Sequence, residues 1–217
     1  MTDASVLSAR MDGPASIRNE PVQARSTARL AALLDAAAHV IDEIGYERLT
    51  TAMVADRAGA SIGTVYRYFP DRIAVLQSLA SRNVERVGER AVAELKDSRH
   101  ESWEGALAAS FMAVTDAFRD EPGFASLRFG DVLDLRPLAR IPALHVLAER
   151  VAVVLVGRFG MSDDDDARLA LQSVLTIADA VAADAFRKDP HGDGGVLRQA
   201  ELAAEALLRE YFPVSTD

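Results

Sequence analysis

Between Gly45 and Pro70 an otherwise helical pattern is cut three times, at Gly45, Gly59 and Pro70. Glycine lets the backbone enter the positive-φ region, and proline removes a backbone donor, so each cut ends a helix. Two stretches of about two turns each remain between the cuts. A helix that short is not stable alone, so both must be held by neighbours. Two short helices joined by a three- or four-residue turn containing glycine form a helix-turn-helix. Thr50 or Thr51 can cap the first short helix, Ser61 the second, and Asp71 a long helix that follows through about Glu94. The small side chains of Ala55 and Ala58 let the two helices approach. Val54, Val65 and Phe69 fill the space between them and a preceding helix expected over 28–44. That helix carries Leu30, Leu34, Ala37, Ile41 and Ile44 on one face and ends at Gly45, read as a left-handed cap.

Composition narrows what else the chain can be. Apolar residues make up 49% of the 217, alanine and leucine dominate, and no alternating strand pattern occurs, so the fold class is all-α. The absence of cysteine excludes disulfide scaffolds, thiolate metal sites and thiol catalysis. No uninterrupted apolar run approaches the roughly 18 residues of a membrane span. The N-terminal stretch lacks the apolar core of a secretion signal. The expected location is therefore the cytoplasm, with no membrane partner. Residues 1–25 read as a polar arm, 26–75 as the helix-turn-helix domain, and 76–217 as a larger helical domain.

The net charge of −9 argues against a polyanion partner only until its distribution is seen. Residues 1–75 carry eight arginines, no lysine and nine acids, and are nearly neutral. The acidity belongs to the remainder. A nucleic-acid surface at the N-terminal end is therefore permitted.

The second helix of such a motif enters the major groove and presents its N-terminal residues to base edges. Ser61, Ile62, Gly63 and Thr64 occupy that end. Gly63 permits close backbone approach, and Thr64 offers a hydroxyl and a methyl group. Tyr66 and Tyr68 offer phenol hydroxyls to phosphate oxygens, and Arg67 can reach a phosphate or a guanine edge. Arg72 stands at the start of the next helix, where free backbone N–H groups also favour an anion. Thr50 and Thr51 offer the same at the first short helix. Beside them, Ala52, like Ile62, can make only apolar contacts. Arg10, Arg18 and Arg25 of the arm can add minor-groove contacts.

The stretch "GYERLTTAMVADRAGASIGTVYRYFPDR" resembles the DNA-binding domain of the TetR family of bacterial transcriptional regulators. The resemblance covers roughly residues 28–76. It rests on the glycine before the second helix, the "A-G-x-S" turn and the "G-T-x-Y-x-x-F" helix. Arg72 departs from the lysine usual there. The resemblance implies an all-helical homodimer that binds double-stranded operator DNA. Its C-terminal domain would hold a small-molecule effector and dimerise through its last two long helices.

Further along, Trp103, Leu107, Phe111, Val114 and Phe118 share one helical face. Gly130, Pro137 and Pro142 punctuate the chain before a helix bearing Leu144, Leu147, Val151, Val154 and Phe159. The helix ending near Arg187 is apolar nearly all round, which requires cover on every face. With the last helix it forms the expected dimer interface, through Val174, Val181, Leu197, Ala204 and Leu208. Trp103, Phe111, Phe118, Leu147 and Asp179 are the candidate lining of an effector pocket, with core packing the alternative for the aromatic stripe. Asp179 and Asp184 interrupt the most apolar helix. Each can meet a cationic effector, an arginine of a second subunit, or solvent. Acids 163–166 read as a helix start. His39, His100, His145 and His191 show no metal-ligand spacing, so no metal or cofactor is expected. No nucleophile–base spacing or phosphate loop supports an enzyme. The expected function is a ligand-responsive repressor. The alternatives are a ligand-independent DNA-binding regulator and, against the absence of catalytic motifs, a C-terminal domain with enzymatic activity.

Overall fold

The computed structural model describes residues 20–127 and 143–213. Gly130, Pro137, Pro142, Arg10 and Arg18 lie outside the described residues. Among the described residues every regular element is helical. Helix α1 spans Glu20–Ile44, α2 Thr51–Arg57, α3 Ile62–Tyr68 and α4 Arg72–Lys96. Then come α5 (Trp103–Asp120), the single turn α6 (Phe124–Leu127), α7 (Ala143–Phe159), α8 (Asp165–Lys188) and α9 (Gly194–Leu208). The expected caps Thr50, Ser61 and Asp71, the acid Asp164 and also Ser102 each accept a hydrogen bond from a backbone N–H three residues on.

Two boundaries differ from expectation. Helix α1 begins at Glu20, so residues 20–25 of the expected arm are helical. Gly45 has φ 80° and ψ 156°, not the left-handed helical region, although its N–H still closes α1 on the Ile41 carbonyl at 2.8 Å. The chain leaves extended and enters a 3₁₀ turn over Tyr46–Arg48.

The first core gathers Leu33, Ile41, Leu49, Val54, Val65 and Phe69 from α1, the two short helices α2 and α3, and the residues flanking them. It is completed by Val75, Leu76 and Leu79 from the start of α4. Burying such a side chain contributes about 1.5–3 kcal/mol, and α4 supplies three of them. The boundary drawn at residue 75 therefore falls inside one continuous helix. The second core lies at the other end of α4, where Val92 and Leu95 pack with Leu147, Val151, Leu155, Leu171 and Leu208. Arg158 ties this end together by donating to the backbone carbonyls of Leu95 at 2.6 Å and His100 at 2.5 Å.

A third contact bridges the two halves. Gly123 has φ +69°, and a Cβ there would stand 2.8 Å from the Ala38 carbonyl of α1. Its N–H donates to Asp42 Oδ1 at 3.0 Å. Alongside, Arg82 of α4 pairs with Asp35 of α1 at 2.6 Å.

Helices α8 and α9 pack as an antiparallel pair. Their predicted interface residues are turned inward: Val174 is only 3% exposed, and Leu197, Ala204 and Leu208 are also buried within the subunit. Val181 is half-buried. The faces left open carry Leu169, Ile177, Leu202 and Leu207 instead, with Leu169 62% exposed. Periodicity fails to choose between the two faces because α8 is apolar on both. By length and composition alone α8 could cross a membrane, since the average over its apolar residues outweighs Asp179 and Asp184. The core helix of a water-soluble protein passes the same test, and the inner face of α8 packs on α7 and α9.

Replacing Gly123 by alanine is expected to cost about 1 kcal/mol or more, from the strained φ and the backbone clash together. Urea unfolding followed by circular dichroism measures it.

Candidate nucleic-acid interface and effector cavity

The α2–turn–α3 unit is short because Gly59, at φ +58°, ends α2 and Ser61 restarts the chain. Thr50 Oγ1 accepts from the Met53 N–H at 3.2 Å. Ser61 Oγ accepts from the Thr64 N–H at 3.1 Å and lies 2.9 Å from the Thr64 hydroxyl. The Thr51 hydroxyl donates to the Tyr66 hydroxyl at 3.3 Å. These polar groups thus hold the α2–α3 geometry while remaining at the surface.

Large apolar groups are exposed on the same unit: Met53, Ile62 and Tyr66, with Tyr66 54% exposed. Ala52 is exposed beside them. Met53 was not singled out from the sequence, because its position in α2 reads equally well as core. Gly63 is the more telling residue. A Cβ there would meet nothing closer than the Ser61 Oγ at 3.9 Å, and its φ is not positive. Nothing within the subunit requires a glycine at this helical position, where alanine would be more stable by about 1 kcal/mol.

A groove along the side of this unit is basic. It is lined by Arg25, Ser26 and Arg29 of α1 and by Arg67 and Tyr68 of α3. Among the described residues no carboxylate lies within ion-pair distance of these three arginines. Arg29 could not be assigned from the sequence, since only the packing of α1 against α3 brings it beside Arg67. Tyr68 lines the groove and is also held within the subunit. Its hydroxyl lies 3.2 Å from Ser26 Oγ, and this bond, helped by nearby Arg67 and Arg29, holds its pKa below the usual phenol value. The Arg67 guanidinium lies over the Tyr68 ring, 5.3 Å from its centre. Tyr68 therefore braces α3 on α1. Arg72 also has a structural role, donating to the Glu47 backbone carbonyl at 2.7 Å. Its remaining donors stay exposed. Arg57, also exposed, pairs with Glu43 at 2.5 Å, so its charge is matched at the surface.

In the C-terminal half a cavity of about 60 Å³ opens among α4, α5, α7, α8 and α9. Of the expected lining, Phe111, Leu147 and Asp179 border it, with Ala91 of α4. Trp103 and Phe118 do not. Trp103 stacks on Phe212 at 4.2 Å, and Phe118 stacks on Phe186 at 4.7 Å and meets Phe124 edge-on. Asp184 points away from the cavity and pairs with Lys188 at 2.6 Å and with Arg187 on its own helix. These cations, Lys188 first, hold its carboxyl below the ordinary value. No group of three metal-ligating side chains occurs among the described residues.

Comparison with known proteins agrees with this geometry. Residues 33–79 match the family model for bacterial regulatory proteins of the tetR family. Residues 101–211 match the tetracyclin repressor-like C-terminal domain. An uncharacterised HTH-type transcriptional regulator of Mycobacterium bovis is 30% identical over 176 residues, covering 80% of this chain and 87% of that one. The HTH-type transcriptional repressor KstR of Rhodococcus jostii is 40% identical over 58 residues, 27% of each chain. A TetR-family regulator from Streptomyces coelicolor superposes with a TM-score of 0.71 at 34% identity, over 84% of this chain and 99% of that one. The chain belongs to the TetR family of bacterial transcriptional regulators, and its helix-turn-helix is a DNA-binding unit.

Two outcomes separate DNA-facing residues from structural ones. Gly63→Ala should raise stability by about 0.5–1 kcal/mol while weakening binding to a duplex selected by the wild-type protein. Thermal melts and fluorescence anisotropy read the two effects. Arg67→Ala and Arg29→Ala should each reduce the slope of log affinity against log salt by about one, the signature of a lost phosphate contact.

Proposed function

We propose that this protein is a repressor that binds operator DNA as a homodimer in the cytoplasm and releases it when a small molecule enters the C-terminal cavity. The observation that supports this most is the double role of α4. Ala91 borders the cavity, while Val75, Leu76 and Leu79 of the same helix form part of the DNA-binding core. A ligand larger than the present space must part the surrounding helices, and any tilt of α4 carries α3 with it. Gly88 makes the α4–α7 contact tight, since a Cβ there would come within 3.2 Å of Leu147. A dimer reads two successive major grooves only when its recognition helices are roughly 34–36 Å apart. An effector that favours another spacing shifts the balance away from DNA.

The dimer forms through the open faces of α8 and α9. Leu169, Ile177, Leu202 and Leu207 of two copies would come together as a four-helix interface. The alanine, serine and threonine between them allow close packing.

Ile177→Glu should give a folded monomer by sedimentation, with operator affinity lost, because the changed side chain is outside the core. A compound found by screening for thermal stabilisation should lower operator affinity about 5- to 150-fold, and operator must weaken its binding by the same factor. A monomeric wild type, or ligand affinity unaffected by operator, would overturn the reading.

A further inference from the structure

We infer that the protein selects its operator through thymine methyl groups, met in the major groove by the side chains of Met53 and Ile62; this rests on the reading of the chain as an operator-binding repressor. Ile62 is the first residue of α3, directly after the Ser61 cap, and is 43% exposed. Met53 stands in the first turn of α2 and is 41% exposed. The core draws on other apolar residues of the same two helices, Val54 and Val65, which are fully buried. Each short helix therefore turns one apolar residue inward and leaves one large apolar side chain outside near its N-terminus, the end that a recognition helix presents to base edges.

The polar groups at these two helix starts are poorly suited to telling bases apart. Bidentate reading of guanine or adenine takes a guanidinium, an ammonium or a carboxamide, and reading of cytosine takes a carboxylate. Residues 50–54 and 61–66 contain none of these. Their hydroxyls hold the unit together. Thr50 Oγ1 accepts the Met53 N–H, and Ser61 Oγ accepts the Thr64 N–H and lies 2.9 Å from the Thr64 hydroxyl. The Thr51 hydroxyl donates to the Tyr66 hydroxyl at 3.3 Å. Whatever capacity these hydroxyls keep discriminates weakly, because a hydroxyl pairs with donors and acceptors alike. Arg67 belongs to the last turn of α3 and lines the basic groove with Arg25 and Arg29, a setting that suits phosphates. Thymine alone among the four bases carries an apolar group into the major groove, its C5 methyl. Contact of that methyl with Ile62 or Met53 takes apolar surface out of water on both sides.

The probe is a duplex selected by the full-length protein from a random pool. Each thymine in it is replaced in turn by deoxyuridine, which removes the methyl group and keeps every hydrogen-bonding group. At one or more thymines the replacement should weaken binding about four-fold, and about fifteen-fold when the equivalent thymine of the other half-site is replaced too. Cytosine at such a position should bind worse than 5-methylcytosine, which restores the methyl. In Ile62→Ala or Met53→Ala the loss on deoxyuridine replacement should vanish at the thymine that side chain meets. The slope of log affinity against log salt should stay as in the wild type, because no phosphate contact is touched. Thymines that can all be replaced without loss overturn the inference. So does a deoxyuridine loss of equal size in the wild type and both variants, which would trace the methyl effect to duplex shape. A selected duplex with no thymine in its half-sites overturns it while DNA binding stands. Enrichment of no duplex overturns the repressor reading as well.

Discussion

The packing of the first two turns of α4 into α1, α2 and α3 is the contact on which the rest of the structure depends. A helix-turn-helix of this size has too little interior to fold alone, and Leu33, Ile41, Val54, Val65 and Phe69 close into a core only with Val75, Leu76 and Leu79 present. The same helix runs on for 25 residues, about 37 Å, and its far end helps to build the second core. There is no linker between the two halves. Gly123 against Ala38, Asp42 on the Gly123 N–H, and the Arg82–Asp35 pair fix the angle at which one half sits on the other. Movement in the cavity thus has a rigid route outward, through a helix and not through a loop.

The DNA-binding unit was legible in the sequence because its constraints are local. Gly59, Ser61 and Asp71 act on residues within four positions, and they end, start or cap helices where the sequence says they should. The expected core of Val54, Val65 and Phe69 is the observed one. What stayed hidden depends on tertiary contacts. Arg29 joins a basic groove only because the fold sets residues 25–29 of α1 beside Arg67 and Tyr68 of α3. Tyr68 gives its hydroxyl to Ser26, a partner 42 residues away that no spacing rule connects to it. Packing thus adds a cation to the basic groove and gives a phenol hydroxyl a partner within the subunit.

The C-terminal half was legible as helices and much less so as faces. Trp103, Phe111 and Phe118 share a helical stripe, yet only Phe111 borders the cavity. The other two are taken by rings from elsewhere, Phe212 for Trp103 and Phe186 for Phe118. Aromatic rings seek stacked or edge-on partners, and which of three neighbours finds one is decided by the opposing helix. In α8 both faces are apolar, so periodicity could not say which turns inward. Val174 went to the core and Ile177, three residues later, to the surface.

The continuity of α4 has an evolutionary consequence. Proteins built as beads on flexible linkers exchange reading heads by recombination within the linker. Here a crossover that brings in a new head must fall inside a helix whose first turns belong to one hydrophobic cluster and whose last turns belong to another. The donor's α4 residues must travel with its small helices, or the incoming head lacks part of its own interior. Change in the DNA-binding unit is therefore easier by point substitution at exposed positions, which leave both clusters intact, than by wholesale replacement of the head.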